Sequence, residues 1–301
     1  MAELSQNYVT AYSKNVYTMA QQKESRLRPY VTVVPMEGQK KTFELVKPTT
    51  AVKIESRYSD TQVVHTEFGR RTVHATAYGI SDTIDWQDKL DLLIDPTSAV
   101  VAAGAYALGR SLDKIIIDDA FVGDALEGID GTTKVALPEK QKIPVTFGGT
   151  SGSNVGLNLA KLYEVRSRFG KANIDINDPR NQICMAVTQS QIDDLSRDID
   201  SRNADFSGFN LFLIGKTDQF LGIKFIMCDG LPLMGEEGDQ SRMCVAWCKS
   251  GVVLAMQKEV EMSIFQNHQK WDNWQYLAKM KGGATRLEDA KLVQVFCHEA
   301  Q

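Results

Sequence analysis

The sequence predicts an α+β protein, with strands and helices in separate stretches of the chain rather than in strict alternation. Three observations carry this reading. Apolar residues recur with period two over residues 41–80 and again in the C-terminal third. One long run at helical spacing opens at Asp95-Pro96. Between the two lies a glycine-rich loop region followed by short helical and strand patterns.

Residues 1–28 are polar, with Val9, Tyr12, Val16 and Met19 at helical spacing. Such a helix has too little apolar surface to stand alone, and Pro29 disfavours helix at Arg28. This is an arm that needs a surface to lie on. From residue 41 the period changes: Val52 and Ile54 alternate with Lys53, Glu55 and Arg57, and Val63-Val64 and Thr72-Val73-His74-Ala75 supply a return strand. Polar residues occupy both faces, so the long hairpin has little core of its own.

Asp82, Asp85, Asp88, Asp91 and Asp95 then surround Trp86. Asp95 suits an N-cap and Pro96 the first helical position; Val101, Leu108, Leu112 and Ile115 repeat at helical spacing up to Gly123. The pattern predicts a helix over about 96–121, roughly seven turns at 3.6 residues per turn. Its frequent Ala and Gly let neighbouring backbones come close.

Residues 123–156 are loop-rich. A helix is expected from about Leu157 to Phe169 with Gly170 ending it, its start capped in the Asn154 region. Ile183–Val187 reads as a buried strand, followed by a helix near Gln189–Arg197. Leu211-Phe212-Leu213-Ile214 and Lys224-Phe225-Ile226-Met227 read as strands. Val260, Met262 and Ile264 alternate with Glu259, Glu261 and Ser263, and Leu292–Phe296 closes the chain as a strand.

Composition narrows the function classes. The chain has 301 residues, 43% hydrophobic and 24% charged, enough for one large domain or two subdomains sharing a core. It opens Met1-Ala2-Glu3-Leu4-Ser5 without a basic start or apolar run, and no stretch approaches the roughly 20 apolar residues of a membrane span. We expect a soluble product, cytosolic when made. Net charge is −4, and Arg70-Arg71 and Arg26/Arg28 sit among acids, so a DNA-gripping basic patch is missing. Five cysteines, at 184, 228, 244, 248 and 297, read as buried reduced thiols rather than a disulfide or metal framework.

Catalytic and cofactor motifs fail on spacing. Gly148-Gly149-Thr150-Ser151-Gly152-Ser153-Asn154-Val155-Gly156 lacks the Lys and Ser or Thr of a phosphate loop, and Ser151 lacks the last glycine of a nucleophile elbow. The histidines at 65, 74, 268 and 298 fall in no metal-binding or catalytic motif. The aspartates recurring from 82 to 91 lack a calcium-loop pattern and read as a solvated or salt-bridged face. Trp271 and Trp274 read as core or interface packing residues rather than a base-stacking platform, since no basic groove surrounds them. We expect no catalytic residue, no metal and no cofactor.

The order of segments resembles the major capsid proteins of tailed bacteriophages, the Hong Kong 97-type fold, from about residue 30 to 300. The likeness rests on the charged hairpin leading into Tyr78-Gly79-Ile80-Ser81-Asp82-Thr83-Ile84-Asp85-Trp86 and on the helix opening at Asp95-Pro96 and running through Ala107-Leu108-Gly109-Arg110-Ser111-Leu112-Asp113. It continues in Ile214-Gly215-Lys216-Thr217-Asp218-Gln219-Phe220-Leu221-Gly222-Ile223-Lys224, Cys228-Asp229-Gly230-Leu231-Pro232 and Ser250-Gly251-Val252-Val253-Leu254. Lys281-Gly282-Gly283-Ala284-Thr285-Arg286-Leu287-Glu288 is similar to the family's turn before its last strand.

The resemblance implies an N-terminal arm at 1–30, an extended hairpin loop at 31–80 and a peripheral subdomain at 81–150 carrying the long spine helix. It further implies an axial subdomain at 151–250 and C-terminal strands at 251–301 that complete the peripheral one. The implied function is a non-enzymatic shell subunit, assembled in the host cytoplasm into hexamers and pentamers of an icosahedral capsid around double-stranded DNA. The short segment before the hairpin implies a separate scaffolding protein; portal and decoration proteins are further implied partners, with no sequence-specific DNA contact and no membrane. Arg57, Glu67, Arg70 and Arg71 are expected to pair with acids of the next subunit, among them Asp82, Asp85 and Asp88, steering register more than supplying stability. Changing Arg70 and Arg71 to Glu is then expected to impair assembly and leave folding intact. Lys40, Lys41, Lys47 and Lys53 lie in or near the hairpin, but we expect no isopeptide cross-link and a single band on a denaturing gel. An encapsulin-type compartment, a phage tail protein and an α+β enzyme are the rival readings.

Overall fold

A computed structural model describes residues 21–54, 56–57, 60–61, 63–84, 97–128, 130–149, 152–175, 178–202, 218–234, 240–271 and 273–299. The chain forms two compact units. The first comprises Met1–Glu24, Ala77–Ser111 and Lys258–Met280; the second comprises Ser25–Thr76, Leu112–Gln257 and Lys281–Gln301. The expected strand Leu211–Ile214 and the helical spacing of residues 9–19 lie outside the described residues.

In chain order the strands are β1 Thr32–Pro35, β2 Lys40–Val46, β3 Phe68–His74, β4 Thr76–Ile84, β5 Ala125–Glu127, β6 Thr133–Val135 and β7 Lys142–Ile143. They continue as β8 Ile183–Val187, β9 Gln219–Phe220, β10 Ile223–Met227, β11 Ser241–Cys248, β12 Val252–Asn267, β13 Asn273–Arg286 and β14 Leu292–His298. The helices are α1 Thr97–Ile115, α2 Leu159–Lys171 and α3 Gln189–Arg202. Residues expected to be helical over about 96–121 form α1 and a π-helical continuation, Ile116–Val122.

The second unit is built on a six-stranded sheet in the order β7-β14-β11-β8-β10-β9. All five residues of β8 are buried, as expected of a central strand whose apolar run is continuous rather than alternating. β8 and β10 run parallel, which requires a crossover, and α3 lies in that connection. β14 pairs antiparallel with β11 from Ser241↔His298 to Trp247↔Leu292, so the C-terminal strand belongs to this sheet. Trp247 is fully buried, its ring 4.7 Å from that of Phe121, and its indole N–H donates to the Tyr30 carbonyl at 2.9 Å. Here one large side chain joins sheet, π-helical segment and N-terminal segment.

Two buried cations organise the loops around this core. The Lys161 ammonium, on the first turn of α2, donates to the carbonyls of Val145, Val155, Gly156 and Phe296 at 2.8–3.2 Å. Four carbonyl dipoles replace water around the charge, while burial pulls its pKa below the ordinary lysine value. The glycine-rich stretch before α2 is thereby tied to β14. Its cap is Asn158, whose side-chain oxygen accepts from Lys161 N at 2.9 Å, four residues after the expected Asn154. α2 passes through Gly170 to Lys171, and Asn173 takes the left-handed conformation instead.

Arg286 is the second buried cation, and it corrects the sequence reading of its surroundings. Gly282-Gly283-Ala284-Thr285-Arg286 is the end of β13, not a turn; the chain turns afterwards, at Asp289–Lys291. The two glycines serve close approach. A Cβ on Gly283 would lie 2.1 Å from the His74 carbonyl, and one on Gly282 would lie 2.6 Å from the Met256 sulfur.

The five cysteines are all free and buried. Burial pushes the Cys184 and Cys248 thiols up to about 12, so both stay protonated and inert at neutral pH. Among the described residues no helix is long and apolar enough to cross a membrane.

In the first unit β12, β13 and β4 lie side by side in that order, and residues of α1 pack on Tyr276 of β13. Gly104 permits this: a Cβ there would sit 3.0 Å from the Tyr276 ring. Arg110 of the same unit donates to Gln21 and Gln22, which ties the start of the described chain to α1.

Candidate assembly surfaces

The hairpin is a paired ladder at its root and an exposed projection beyond it. β2 and β3 pair from Lys40↔His74 to Val46↔Phe68, and β5 adds to the other side of β3. At the root Val73 packs in a small core with Met36 and Ala255, and the Thr42 and Thr72 hydroxyls meet at 3.2 Å. Past Val46 the arms stay together through Lys47 N–H to the Glu67 carbonyl at 3.0 Å and through the Thr49 and Thr66 hydroxyls at 3.2 Å. The alternating Val52 and Ile54 lie outside regular strand.

What this projection presents is apolar. Ile54 is 81% exposed, Val63 75% and Phe68 70%, and Val46, Val52 and Val64 are exposed as well. A two-stranded ribbon buries too little to be stable alone in water. Exposed apolar side chains on such a ribbon mark a contact face.

The charged residues singled out in the sequence divide into four groups, the last of them Arg71 alone. Glu67 and Arg70 are exposed and paired within their own hairpin, to Lys47 at 2.7 Å and to the cross-strand Glu44 at 3.3 Å. The Lys47 contact holds the Glu67 carboxyl below its usual range. Arg57 and Asp82 are exposed, and Asp82 accepts from the Thr83 backbone N–H at 2.8 Å. Asp85 and Asp88 lie outside the described residues.

Arg71 departs from the expectation. Its side chain is only 6% exposed, and it pairs with Asp289 at 2.8 Å and Glu127 at 3.1 Å inside its own unit. The reason is register: Arg71 lies opposite Glu127 on β5, on the side of β3 that faces the body of the unit. The double change of Arg70 and Arg71 to Glu therefore strikes folding through Arg71, and of the two only a change at Arg70 leaves the buried pairs with Asp289 and Glu127 intact.

Asp113 is a polar group that sequence reasoning missed. It is buried, and its carboxylate accepts from the Ser25 hydroxyl at 2.5 Å and from the Arg26 and Leu27 backbone N–H groups at 3.0 Å. Arg26 reaches the Met227 carbonyl at 2.8 Å. The segment entering the second unit is thus clamped at Ser25–Leu27. An aspartate within a helical run was the available signal, and nothing local marks its partner 87 residues away.

Among the described residues no group of three or more His, Cys, Asp or Glu side chains is placed to hold a metal ion. The surfaces described leave apolar and charged side chains exposed to solvent.

Comparison with known proteins gives the same picture. The model of a family described as phage capsid protein matches residues 4–299. No match is found among curated proteins. The capsid of cyanophage P-SCSP1u is similar in structure, with a TM-score of 0.69 at 14% identity over 98% of this chain and 94% of that one. The capsid of Ralstonia phage GP4 gives 0.72 at 7% identity, over 100% and 99% of the two chains. A capsid chain of cyanophage Pam1 gives 0.69 at 13% identity over 100% of both.

Proposed function

Because this chain belongs to the phage capsid protein family, and is therefore a structural subunit that self-associates into a shell rather than an enzyme, we propose that its hairpin drives assembly by lying across a neighbouring copy. The observation that carries this is the exposed apolar strip of Ile54, Val63 and Phe68 on a ribbon whose root is the β2–β3 ladder. Each subunit gives its hairpin and receives another's, a head-to-tail contact that closes into rings, here hexamers and pentamers. A single contact can be weak, because repetition over a closed shell multiplies it. The compartment and tail readings are not favoured.

Within this reading the hairpin beyond the Val46–Phe68 pair lies on a neighbour, while Ser25–Leu27 of the arm and the β2–β3 root are held within their own unit. Glu67 and Arg70, paired within the hairpin, and the exposed Arg57 and Asp82 set its register; Asp85 and Asp88 are proposed to act with Asp82. Double-stranded DNA fills the shell without sequence-specific contact. A separate scaffolding protein sets size during assembly in the host cytoplasm, a portal protein occupies one vertex, and decoration proteins are compatible with the outer face.

Ile54→Asp and Val63→Asp test the hairpin contact. Both side chains are exposed in the single chain, so circular dichroism and the unfolding midpoint should stay within about 0.5 kcal/mol of the parent. Assembly should fail, since a carboxylate buried at a repeated contact costs on the order of 2 kcal/mol or more. Normal yields of closed shells from either variant would remove the hairpin from the assembly mechanism.

A further inference from the structure

At the far end of the β12–β13 ribbon the chain turns through His268–Lys270 and reaches Trp271. Among the described large apolar side chains Trp271 is the most exposed, at 88%. Its backbone is left-handed, with φ 52° and ψ 39°. That conformation suits Gly or Asn and strains a bulky side chain. So the turn carries a large aromatic where its backbone favours a small residue, and the side chain gains almost nothing from its own chain in return. A strained residue of this kind points to a use outside the fold.

The turn is also held rigidly. Asn267 donates from its amide to Gln275 at 3.0 Å and accepts from Gln269 N at 3.1 Å, while the Gln275 amide donates to the Ser81 hydroxyl at 2.7 Å. Trp271 is therefore presented from a fixed platform, which lowers the entropy lost on docking. Below it Met262 and Ile264 on one face of β12, and Phe265 on the other, remain partly exposed. A ribbon with apolar side chains bare on both faces needs cover from outside.

We propose that Trp271 is an anchor by which one copy of this chain grips another, a contact separate from the hairpin and resting on the shell-subunit reading above. A second copy is the occupant because the chain self-associates and because the flank of this strip is compensated within itself. Glu261 pairs with Lys258 at 2.5 Å and with Lys279 at 3.5 Å, so an identical ribbon approaches without a block of like charge. Exposed, rigid aromatics of this kind are the side chains that dominate protein–protein contacts.

Two full-length variants test it. Trp271→Gly relieves the left-handed strain, so the single chain should unfold at the same denaturant concentration as the parent or a higher one. Its shells should nonetheless require a subunit concentration raised roughly thirtyfold, the factor a hot-spot aromatic contributes. Trp271→Phe keeps part of the contact and should fall between the two. It also isolates the Trp271 emission by difference: that emission should be quenched by acrylamide in free subunits and protected in assembled shells. Parent-like assembly of Trp271→Gly, or acrylamide access to Trp271 within shells, would overturn the inference while leaving the shell reading intact. Protection of Trp271 in unassembled subunits on adding a second protein, with none gained when shells close, overturns the choice of a like copy. A parent chain that never forms shells would remove the reading on which the inference rests, and the inference with it.

Discussion

Replacing Arg286 by leucine is expected to cost about 3–5 kcal/mol of folding stability, the penalty for breaking a buried ion pair by removing one partner. Arg286 is fully buried. Its guanidinium bonds Asp289 at 2.8 Å, the Gly123 carbonyl, and the Val135 carbonyl at 2.6 Å. One side chain thus joins β13 to Gly123, just before β5, and to Val135, the last residue of β6. Asp289 also accepts from Arg71, which pairs in turn with Glu127. Two cations and two carboxylates balance in this cluster, and leucine leaves it one positive charge short, with two carbonyls lacking a donor. A urea titration checks this: the midpoint should fall with the slope unchanged. A loss below about 1 kcal/mol would show that the cluster does not hold this part of the fold.

The second large effect is expected at Gly283. Changing it to alanine puts a Cβ 2.1 Å from the His74 carbonyl and 3.0 Å from a Val73 methyl. Backbone stands on both sides of the clash, so relief requires β3 and β13 to move apart. Overpacking of this kind costs about 3 kcal/mol or more when the neighbours cannot yield. The damage should also reach assembly, because His74 ends β3 at the root of the hairpin. Thermal unfolding should show a lowered midpoint, and shell yield should drop even below that temperature. A variant with parent-like unfolding and normal shells would show that the two strands separate there at little cost.

Periodicity made much of the fold readable before any coordinates. The run from Asp95 onward carried α1, the continuous apolar run of residues 183–187 carried β8, and the alternation around Val260, Met262 and Ile264 carried β12. Each is a local signal, set by which face of an element is buried. The failures have a shared cause. The likeness to the family's turn before its last strand places Gly282 and Gly283 in a turn, whereas here they let a strand pass close to a backbone carbonyl. The cap of α2 moved from Asn154 to Asn158 because Lys161 and its carbonyl partners decide where that helix begins.

The assembly surface was legible in part. An amphiphilic hairpin without a core of its own could be read from its polar residues on both faces, but the fate of each charge could not. Arg70 and Arg71 are neighbours in sequence and of identical chemistry, yet strand alternation sends one to solvent and the other to a buried pair with Asp289. The partner is 218 residues away, a separation that no local pattern encodes. The partners of Asp113 and the exposure of Trp271 were hidden for the same reason: burial and exposure at these positions follow from tertiary packing.

The account stands or falls on assembly. The direct measurement is co-expression of this chain with and without a candidate scaffolding protein, with the products imaged by negative-stain electron microscopy. Closed icosahedral shells are the expected result, uniform in size when the scaffolding protein is present and irregular or absent without it. A soluble monomer or small oligomer under every condition would contradict the shell account, and correctly sized shells from the chain alone would remove the separate scaffolding protein from it.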